Sequence, residues 1–184
     1  MEQEELNKIL DNHKLWIESE GRKGKPANLK DACLVDSVLN GAYLKGANLE
    51  EAELIGADLI EANLEDSHMV GADLVEANLK GANLAGANLK GANMVDANLM
   101  GANLLGASLI DANLIDANLY DANLEGANLV DANLTGANLI GAKFTYEIRE
   151  ARYLKFCSIT KDQLPWLALH PDFSEFYPTL KVSE

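Results

Sequence analysis

Three histidines, two cysteines and many carboxylates are the residues of this chain whose chemistry could serve a site. His13, His68 and His170 are far apart in sequence, and so are Cys33 and Cys157. Zinc signatures place their ligands a few residues apart, and disulfide frameworks use more cysteines at regular spacings. The spacing therefore predicts neither a metal site nor a disulfide framework. We interpret His68 as an exposed substitution, not as a ligand.

The carboxylates are too numerous for any one pair to indicate acid–base catalysis. A general acid and a general base need a concave site from which water is excluded. The sequence also lacks the D-x-D-x-D spacing of a calcium loop, a nucleophile motif and a glycine-rich phosphate loop. We predict that the protein is not an enzyme and that it has no catalytic, cofactor-binding or metal-binding residues.

The net charge is strongly acidic, at −14 over 184 residues. Nucleic acids and biological membranes are anionic, so an acidic surface should repel both and attract basic partners. We therefore expect no direct binding of nucleic acid. No apolar run has the length of a membrane span, and the polar residues 1–8 do not resemble a signal peptide. Together with the scarcity of cysteine, these features predict a cytoplasmic protein, unless a targeting segment has been removed.

One five-residue pattern organises residues 27–146. It begins A-N-L-K-D, A-C-L-V-D, S-V-L-N-G and runs through 24 pentads without an insertion. The first position is alanine in 22 pentads and serine in two, and the third is leucine in 21. The second is mostly asparagine, the fifth is mostly glycine or an acidic residue, and the fourth varies. Such a fixed period indicates a repeat architecture.

Neither an α-helix nor a straight strand can bury this pattern. Leucines five apart would advance about 140° around a helix, and they would alternate between the two faces of a strand. The first and third residues can both point inward only if the chain bends once per pentad, which places the fifth residue at a corner. Glycine and aspartate suit such corners. Three glutamates also occur at this position, which indicates that not every corner requires a positive φ: Glu51, Glu61 and Glu76.

The repeated A-[ND]-L-x-x pattern resembles the pentapeptide-repeat family, whose members form right-handed quadrilateral β-helices. The resemblance covers about two-thirds of the chain and implies an all-β solenoid with four sides and twenty residues per coil. Residues 27–146 would then form about six coils, a rod roughly 29 Å long at the usual strand spacing of about 4.8 Å.

The two ends of a solenoid expose unpaired strand edges, which must be covered to prevent aggregation. Residues 2–19 have the pattern of an amphipathic helix, and Gly21 is a helix stop signal. The apolar side of this helix would consist of Leu6, Ile9, Leu10, His13, Trp16 and Ile17. We predict that residues 1–26 form an N-terminal α-helical cap with a basic linker. The alternative is a partner-binding helix.

The pentad register is predicted to end after Tyr146, and residues 147–184 to form a small helical or irregular C-terminal cap. Residues 153–160 could add an irregular coil or a strand pair, and Thr160 with Gln163 resembles a capping box. Aromatic residues are concentrated at this end and are favoured at interfaces. Some members of the resembled family also dimerise here. The candidate homodimer surface consists of Trp166, Phe173, Phe176 and Tyr177.

Residues twenty apart would stack on one face if four pentads close a coil. One fourth-position column is then apolar for almost its whole length: Val35, Ile55, Val75, Val95 and Ile115, followed by Thr135. An exposed apolar stripe is a candidate partner surface, although β-branched residues also suit exposed strand positions in general. On other faces, two lysine–glutamate pairs can form across neighbouring coils, Lys30–Glu50 and Lys45–Glu65.

Acidic residues are concentrated in the repeat, which contains 17 of them and five lysines. Five aspartates cluster at its later corners: Asp96, Asp111, Asp116, Asp121 and Asp131. A solvated surface that keeps the rod soluble explains them in ordinary terms. The resemblance implies a second explanation, because quinolone-resistance members of the family mimic duplex DNA and bind a type II topoisomerase. Several of those members carry projecting loops, whereas this repeat has no interruption.

These observations predict a non-catalytic interaction or scaffold protein that presents a rigid acidic rod to an unknown protein partner. We expect a bacterial protein, and specifically a cyanobacterial one, since repeats of this kind are plentiful in cyanobacteria. The alternative is a DNA mimic that binds gyrase and inhibits or protects it.

Overall fold

This computed structural model describes residues 1–144, 151, 157–163, 165, 168 and 179–183. Its elements in chain order are helix α1 (Gln3–Glu18), strand β1 (Ser158–Thr160), a 3-10 helix (Lys161–Gln163) and strand β2 (Lys181–Ser183). Over residues 27–144 the chain forms isolated bridges instead of continuous strands, because a turn interrupts the extended backbone in every pentad. No described helix has the length and apolar character needed to cross a membrane.

Parallel bridges join second-position residues that are twenty positions apart. Asn28 pairs with Asn48, and Asn48 pairs with His68; the same step recurs along four separate columns. The chain therefore returns to the same face after four pentads. We call each run of four pentads a coil, and we number the faces 1 to 4 in chain order from residue 27.

Four of the five N–H groups in a typical pentad donate to backbone carbonyls. In residues 47–51, the N–H of Asn48 donates to the preceding coil at 3.0 Å. The N–H groups of Leu49 and Glu51 donate to the following coil at 2.7 and 2.9 Å, and that of Ala47 closes the preceding corner at 3.0 Å. Each coil is thus bonded to both of its neighbours, as in a parallel sheet.

Asparagine at the second position supplies an acceptor for the remaining N–H. Asn48 Oδ1 accepts from the N–H of Glu50 at 3.1 Å, and equivalent bonds occur on all four faces. On faces 2 to 4, asparagine amides also bond to the coil before; Asn98 Nδ2 donates to Asn78 Oδ1 at 3.1 Å. Asparagine is therefore a structural residue here, because it satisfies backbone that the corner leaves unpaired.

The first and third positions form the core, as the sequence predicts. Leu84 and the equivalent leucines are fully buried, and the alanines between them are fully buried after the first coil. Burial of each leucine contributes about 1.5–3 kcal/mol before entropy is subtracted. Ala32 and Ala42 stay half-buried because no coil precedes them.

Helix α1 lies against the exposed backbone of the first coil. The amino group of Met1 donates to the carbonyl of Cys33 at 2.8 Å. The Gln3 side chain both donates to the carbonyl of Val38 and accepts from its N–H, each at 3.2 Å. In later coils the equivalent backbone groups bond to a neighbouring coil. No coil precedes the first one, so the Met1 amino group and the Gln3 side chain supply these bonds instead. The predicted apolar side of the helix faces the core, with Leu6 fully buried.

His13 joins α1 to the first coil through both ring nitrogens. The N–H of Ala27 donates to Nδ1 at 3.0 Å, and Nε2 lies 3.0 Å from the carbonyl oxygen of Lys45. A nitrogen that accepts from an N–H carries no proton, so Ala27 fixes the neutral tautomer in which Nε2–H donates to Lys45. The ring is buried and stacks on Trp16. Burial lowers the pKa of His13 below its ordinary value, and the bond to Lys45 partly opposes that shift.

Strand β1 lies on the last coil in the same register as the repeat. Ser158 pairs with Asn138, and its N–H donates to the carbonyl of Ala137 at 2.9 Å. On either side of Ser158, Cys157 and Ile159 are fully buried, at the positions that alanine and leucine occupy in a pentad.

The prediction that the register ends after Tyr146 is therefore wrong for residues 157–160. These residues do not match the pentad consensus, but they place apolar side chains at the spacing that the core requires. The prediction for residues 153–160 is an irregular coil or a strand pair. Strand β1 adds to the last coil, and its parallel partner β2 lies outside that range, at Lys181–Ser183. Both strands extend face 3.

Gln163 connects this segment to the last coil. Its Oε1 accepts from the N–H of Thr160 at 2.7 Å, which is one bond of the predicted capping box. Its Nε2 donates to the carbonyls of Leu139 and Ala142, at 2.7 and 2.8 Å. Lys161–Gln163, which follow Thr160, form a 3-10 turn.

We expect acid to weaken the contact between α1 and the first coil. A proton on Nδ1 of His13 would face the Ala27 N–H and break that bond. The pKa of His13 is lower in the folded chain than in the unfolded chain. The contact's contribution to stability is therefore complete above the unfolded value of about 6.5 and is lost as the pH falls through the lower folded value. Thermal unfolding and the helical circular dichroism signal, followed from about pH 8 to about pH 5, measure this loss.

The histidine variants separate this effect from general acid denaturation. His13→Ala should cost about 1–3 kcal/mol at neutral pH, because it leaves buried Ala27 N–H and Lys45 carbonyl groups unsatisfied. It should also lose most of the pH dependence between about pH 5 and 7. His68 is exposed, so His68→Ala should keep the dependence of the wild type. Equal pH profiles for His13→Ala and wild type would contradict the assignment.

Candidate functional site

The apolar column predicted from the sequence lies on face 2. This column consists of Val35, Ile55, Val75, Val95 and Ile115. Bridges between Cys33, Glu53 and Asp73 stack the pentads of face 2 in register, so the column runs along the repeat axis. Val35 is 42% exposed, and the other four are half-buried. The structure therefore brings these five residues together as a partly accessible stripe.

Two acidic edges border face 2. Edge 1 is the corner column that begins with Asp31, and edge 2 is the corner column that begins with Asp36. Of the five predicted corner aspartates, two lie on edge 1 and two on edge 2: Asp111 and Asp131, and Asp96 and Asp116. Asp121 lies on edge 3, away from this face. All five are exposed.

Face 2 and its two edges carry ten acidic residues and no basic residue. The acidic residues are Asp31, Asp36, Glu51, Glu53, Asp73, Glu76, Asp96, Asp111, Asp116 and Asp131. The five lysines of the repeat lie on the other three faces: Lys30, Lys45, Lys80, Lys90 and Lys143. This asymmetry is absent from the sequence predictions above, although the fifth positions reveal it when they are sorted by a period of twenty.

On the other faces, lysines neutralise part of the charge as predicted. Lys30 Nζ lies 3.1 Å from Glu50 Oε2 on face 1, and Lys45 Nζ lies 2.7 Å from Glu65 Oε1 on face 4. The bond and the charge of Glu50 raise the pKa of Lys30, and the bond to Glu65 raises the pKa of Lys45. These exposed pairs add little to stability, but they lower the negative field of their faces.

Every described corner of the repeat has a positive φ, whichever residue occupies it. Glu51, Glu61 and Glu76 have φ of 56°, 55° and 57°, and the corner aspartates have values from 54° to 58°. The inference that glutamate marks corners of another geometry is therefore wrong. The N–H of Ala32 bonds to the carbonyl of Leu29 across the corner at 3.1 Å, and Asp31 is the third residue of this turn. A turn of type II requires a positive φ at that residue.

Family models of pentapeptide repeats match the chain in eight copies, over residues 27–59, 57–94, 67–106, 77–114 and 112–145. These matches cover well over half of the sequence. The chain belongs to the pentapeptide repeat family. Members of this family form right-handed quadrilateral β-helices, in agreement with the pairing at twenty residues.

Solved pentapeptide repeat proteins resemble this one. One from the Arabidopsis thaliana thylakoid lumen is 32% identical over 66% of this chain and 77% of its own, with a TM-score of 0.52. HetL, involved in heterocyst differentiation regulation in the cyanobacterium Nostoc sp. strain PCC 7120, is 34% identical over 72% of this chain, at a TM-score of 0.38. The match spans 65% of HetL, less than two-thirds of its length. Rfr23 of the cyanobacterium Cyanothece 51142 is 41% identical over 52% of this chain and 61% of its own, at a TM-score of 0.41. No curated protein matches the chain.

The other residues with reactive side chains are dispersed in this pentapeptide repeat protein. His68 is exposed on face 1, and Cys33 is exposed on face 2. Cys157 is buried, and its Sγ–H donates to the carbonyl of Leu134 at 2.8 Å. Burial raises the pKa of Cys157 to about 12, so this thiol stays protonated at neutral pH. Among the residues that the structure describes, no group of three or more His, Cys, Asp or Glu side chains could hold a metal ion.

The candidate dimer residues lie outside the described part of the chain: Trp166, Phe173, Phe176 and Tyr177. A homodimer through this end therefore stays a prediction. His170 lies outside the described residues as well.

Face 3 carries a shallow groove of about 450 Å³, a feature that is absent from the sequence predictions. It is lined by Ile60, Lys80, Met100 and Tyr120, beside corners that include Gly81 and Gly101. The absence of side chains at these glycines leaves the groove open. The signal in the sequence was the succession of glycines on edge 3 beside large fourth-position residues.

The shared positive φ predicts opposite effects for two substitutions on edge 3. Glu61→Gly should raise the free energy of unfolding by up to about 1 kcal/mol, because glycine removes the strain of a side chain at positive φ. Gly101→Ala should lower it by about 1 kcal/mol. A Cβ built on Gly101 meets nothing within 4 Å, so this cost comes from φ alone. Urea unfolding of the three proteins measures both changes, and a destabilised Glu61→Gly would refute the assigned strain.

Proposed function

We propose that this chain is a non-catalytic interaction or scaffold protein that presents face 2 of a rigid acidic rod to a protein partner. The observation that carries the proposal is the partly exposed apolar column between two acidic edges, without a basic residue on the face. In the rod that we propose, residues 27–146 form about six right-handed coils, and α1 and the C-terminal segment cover its ends.

Rigidity supports a binding role. Face 2 is built on coils that bond to both neighbours and on a filled core of leucine and alanine. Asp73 is fixed as well, because its Oδ1 accepts from the N–H of Val75 at 3.3 Å and from Asn93 Nδ2 at 3.2 Å. A preformed surface loses little conformational entropy when a partner binds.

We place the protein in the cytoplasm of a bacterium, and specifically of a cyanobacterium. Pentapeptide repeat proteins are generally structural or binding proteins, and HetL and Rfr23 come from cyanobacteria. HetL takes part in the regulation of heterocyst differentiation. A regulatory role through protein contacts is the kind of function that this proposal expects.

Affinity capture from cells of the source organism tests the proposal. Immobilised wild-type protein should retain at least one protein that the variant Ile55→Lys/Ile115→Lys does not retain. Two lysines on face 2 would place charge in the apolar contact and reduce the attraction of the acidic edges. Quantitative mass spectrometry of the eluates measures the difference.

The matched control is Ile60→Lys/Ile140→Lys. It makes the same change of residue and charge on face 3, where both isoleucines are also half-buried. The captured protein should remain bound to this control. If both variants lose it equally, face 2 is not the binding surface; if nothing binds saturably to the wild type, the interaction role fails.

The second candidate function is a DNA mimic that binds gyrase, and the observation that favours it is charge density. Residues 27–146 carry 17 acidic residues and five lysines. Over about 29 Å of rod, this is about one net negative charge per 2.4 Å. Duplex DNA carries one per about 1.7 Å. The rod therefore approaches the linear charge of DNA, and its exposed edges would present that charge to a DNA-binding groove.

A supercoiling assay with purified bacterial gyrase tests the DNA mimic. The mimic should inhibit supercoiling in proportion to dose, and Asp96→Asn/Asp116→Asn should weaken inhibition more than Asp66→Asn/Asp121→Asn. Asparagine tolerates the positive φ of these corners, so both variants should keep the fold. Light scattering on the same sample tests the proposed homodimer. A flat dose response from wild-type protein would remove the DNA-mimic function and leave the scaffold role in place.

A further inference from the structure

The apolar column is evenly spaced along the repeat axis. Its five residues belong to five successive coils that are joined by parallel bridges. Parallel pairing places neighbouring strands about 4.8 Å apart, so the column is about 19 Å long. A partner that covers the whole column must therefore be straight over that distance.

The backbone of face 2 has little to offer an extended partner strand. The N–H of Leu54 donates to the carbonyl of Asp73 at 2.7 Å, and the N–H of Glu53 donates to the carbonyl of Ala32 at 2.9 Å. These bonds run between coils, and the same pattern repeats along the face. An extended segment laid on such a face would bring its own unpaired N–H and C=O groups against it, which is unfavourable. An α-helix satisfies its backbone internally and offers only side chains.

The spacing of the column also suits a helix. A helix rises about 5.4 Å per turn, close to the 4.8 Å or so between coils. About 13 residues span 19 Å, and an apolar residue in each turn could contact the column over its whole length. In an extended strand, side chains on one side are about 6.8 Å apart, which does not match the coils.

The acidic residues of face 2 and its edges determine which residue types suit the partner helix beside its apolar stripe. Glu53 and Asp73 lie on face 2 on one side of the column, and edge 2 with Glu76, Asp96 and Asp116 lies on the other. None of the lysines of the repeat lies on this face to neutralise them. Basic residues on both sides of the apolar stripe would complement the acidic residues and steer the helix to this face.

We infer that face 2 binds a basic amphipathic α-helix of a partner protein, aligned with the repeat axis and seated on the apolar column. This inference rests on the proposed interaction function, and it specifies the partner's chemistry and shape. The column contacts the apolar stripe of the helix, and the two acidic edges contact the lysines or arginines beside that stripe.

A designed peptide tests the inference without knowledge of the natural partner. The probe is a dye-labelled 14-residue peptide of leucine and lysine, about the length of the column, with all leucines on one side of a helix. Its affinity for the full chain is measured by fluorescence anisotropy at about 0.15 M salt, where long-range attraction is screened. An isomer of the same composition with alternating leucine and lysine has the same charge but no helical stripe. We expect the helical peptide to bind about tenfold more tightly than the isomer.

Two variants of the protein locate the binding. Val75→Lys/Val95→Lys changes the centre of the column and should weaken binding of the helical peptide by about tenfold or more. Val70→Lys/Val130→Lys makes the same substitutions and charge change on face 1, and should weaken it by no more than about threefold. Thermal unfolding verifies that both variants remain folded.

Three results would overturn the inference: no binding of the helical peptide, equal binding of the isomer, or equal losses for the two variants. These results are separable from failure of the proposed function. If the capture experiment finds a partner that depends on face 2 while the peptide does not bind, the interaction role stands and the helical partner is wrong. If no partner is captured but the peptide binds at face 2, the surface chemistry is right and the natural role is unsupported.

Discussion

The chain must turn a corner once in every five residues, and the third residue of each turn must have a positive φ. This constraint explains why the fifth position is glycine, aspartate or glutamate in the first 23 pentads; the last pentad ends in Tyr146 instead. Glycine has no steric penalty there, and aspartate has a smaller one than most residues. Corners stack at intervals of twenty residues. The choice between glycine and an acidic residue at each corner therefore also determines the net charge of an entire edge. Backbone geometry and surface electrostatics are thus set by the same residues.

The corner has a second consequence for the residues between turns. Each described pentad keeps only a short extended segment, so the N–H of its fourth residue has no backbone carbonyl as a partner. The second-position side chain accepts it, and on three faces these side chains also bond to one another from coil to coil. The fourth position is therefore the only one whose side chain is not needed to fill the core, to form the corner or to bond to the backbone. Differences between faces are therefore concentrated in the fourth-position columns and the edges.

Much of this architecture could be predicted from the sequence, because the period of five and the leucine and alanine positions depend on local spacing and volume. Four sides per coil did not follow from spacing; that number came from family resemblance. The positive φ of the corner glutamates was not predicted, because glutamate disfavours that conformation. At Glu51 the pairing between coils imposes a positive φ in spite of this preference. The bonds of His13 were not predictable, since both of its partners, Ala27 and Lys45, are distant in sequence. The pentad register of residues 157–160 was not predictable from the consensus, because packing tolerates cysteine and isoleucine where the consensus has alanine and leucine.

Stability alone does not account for face 2. Core packing, corner geometry and backbone bonding place equivalent demands on all four faces, so they provide no reason for lysine to occur on three faces and not on the fourth. A general need for solubility would favour charge on every face and would not select valine and isoleucine for five successive fourth positions on one. β-propensity explains a β-branched residue at a single site, but the other fourth-position columns tolerate lysine, glutamate, asparagine, alanine, methionine and tyrosine. The combination of an apolar column and uncompensated acidic edges on the same face is therefore the part of this surface that folding does not require, and it is the part that binding would use.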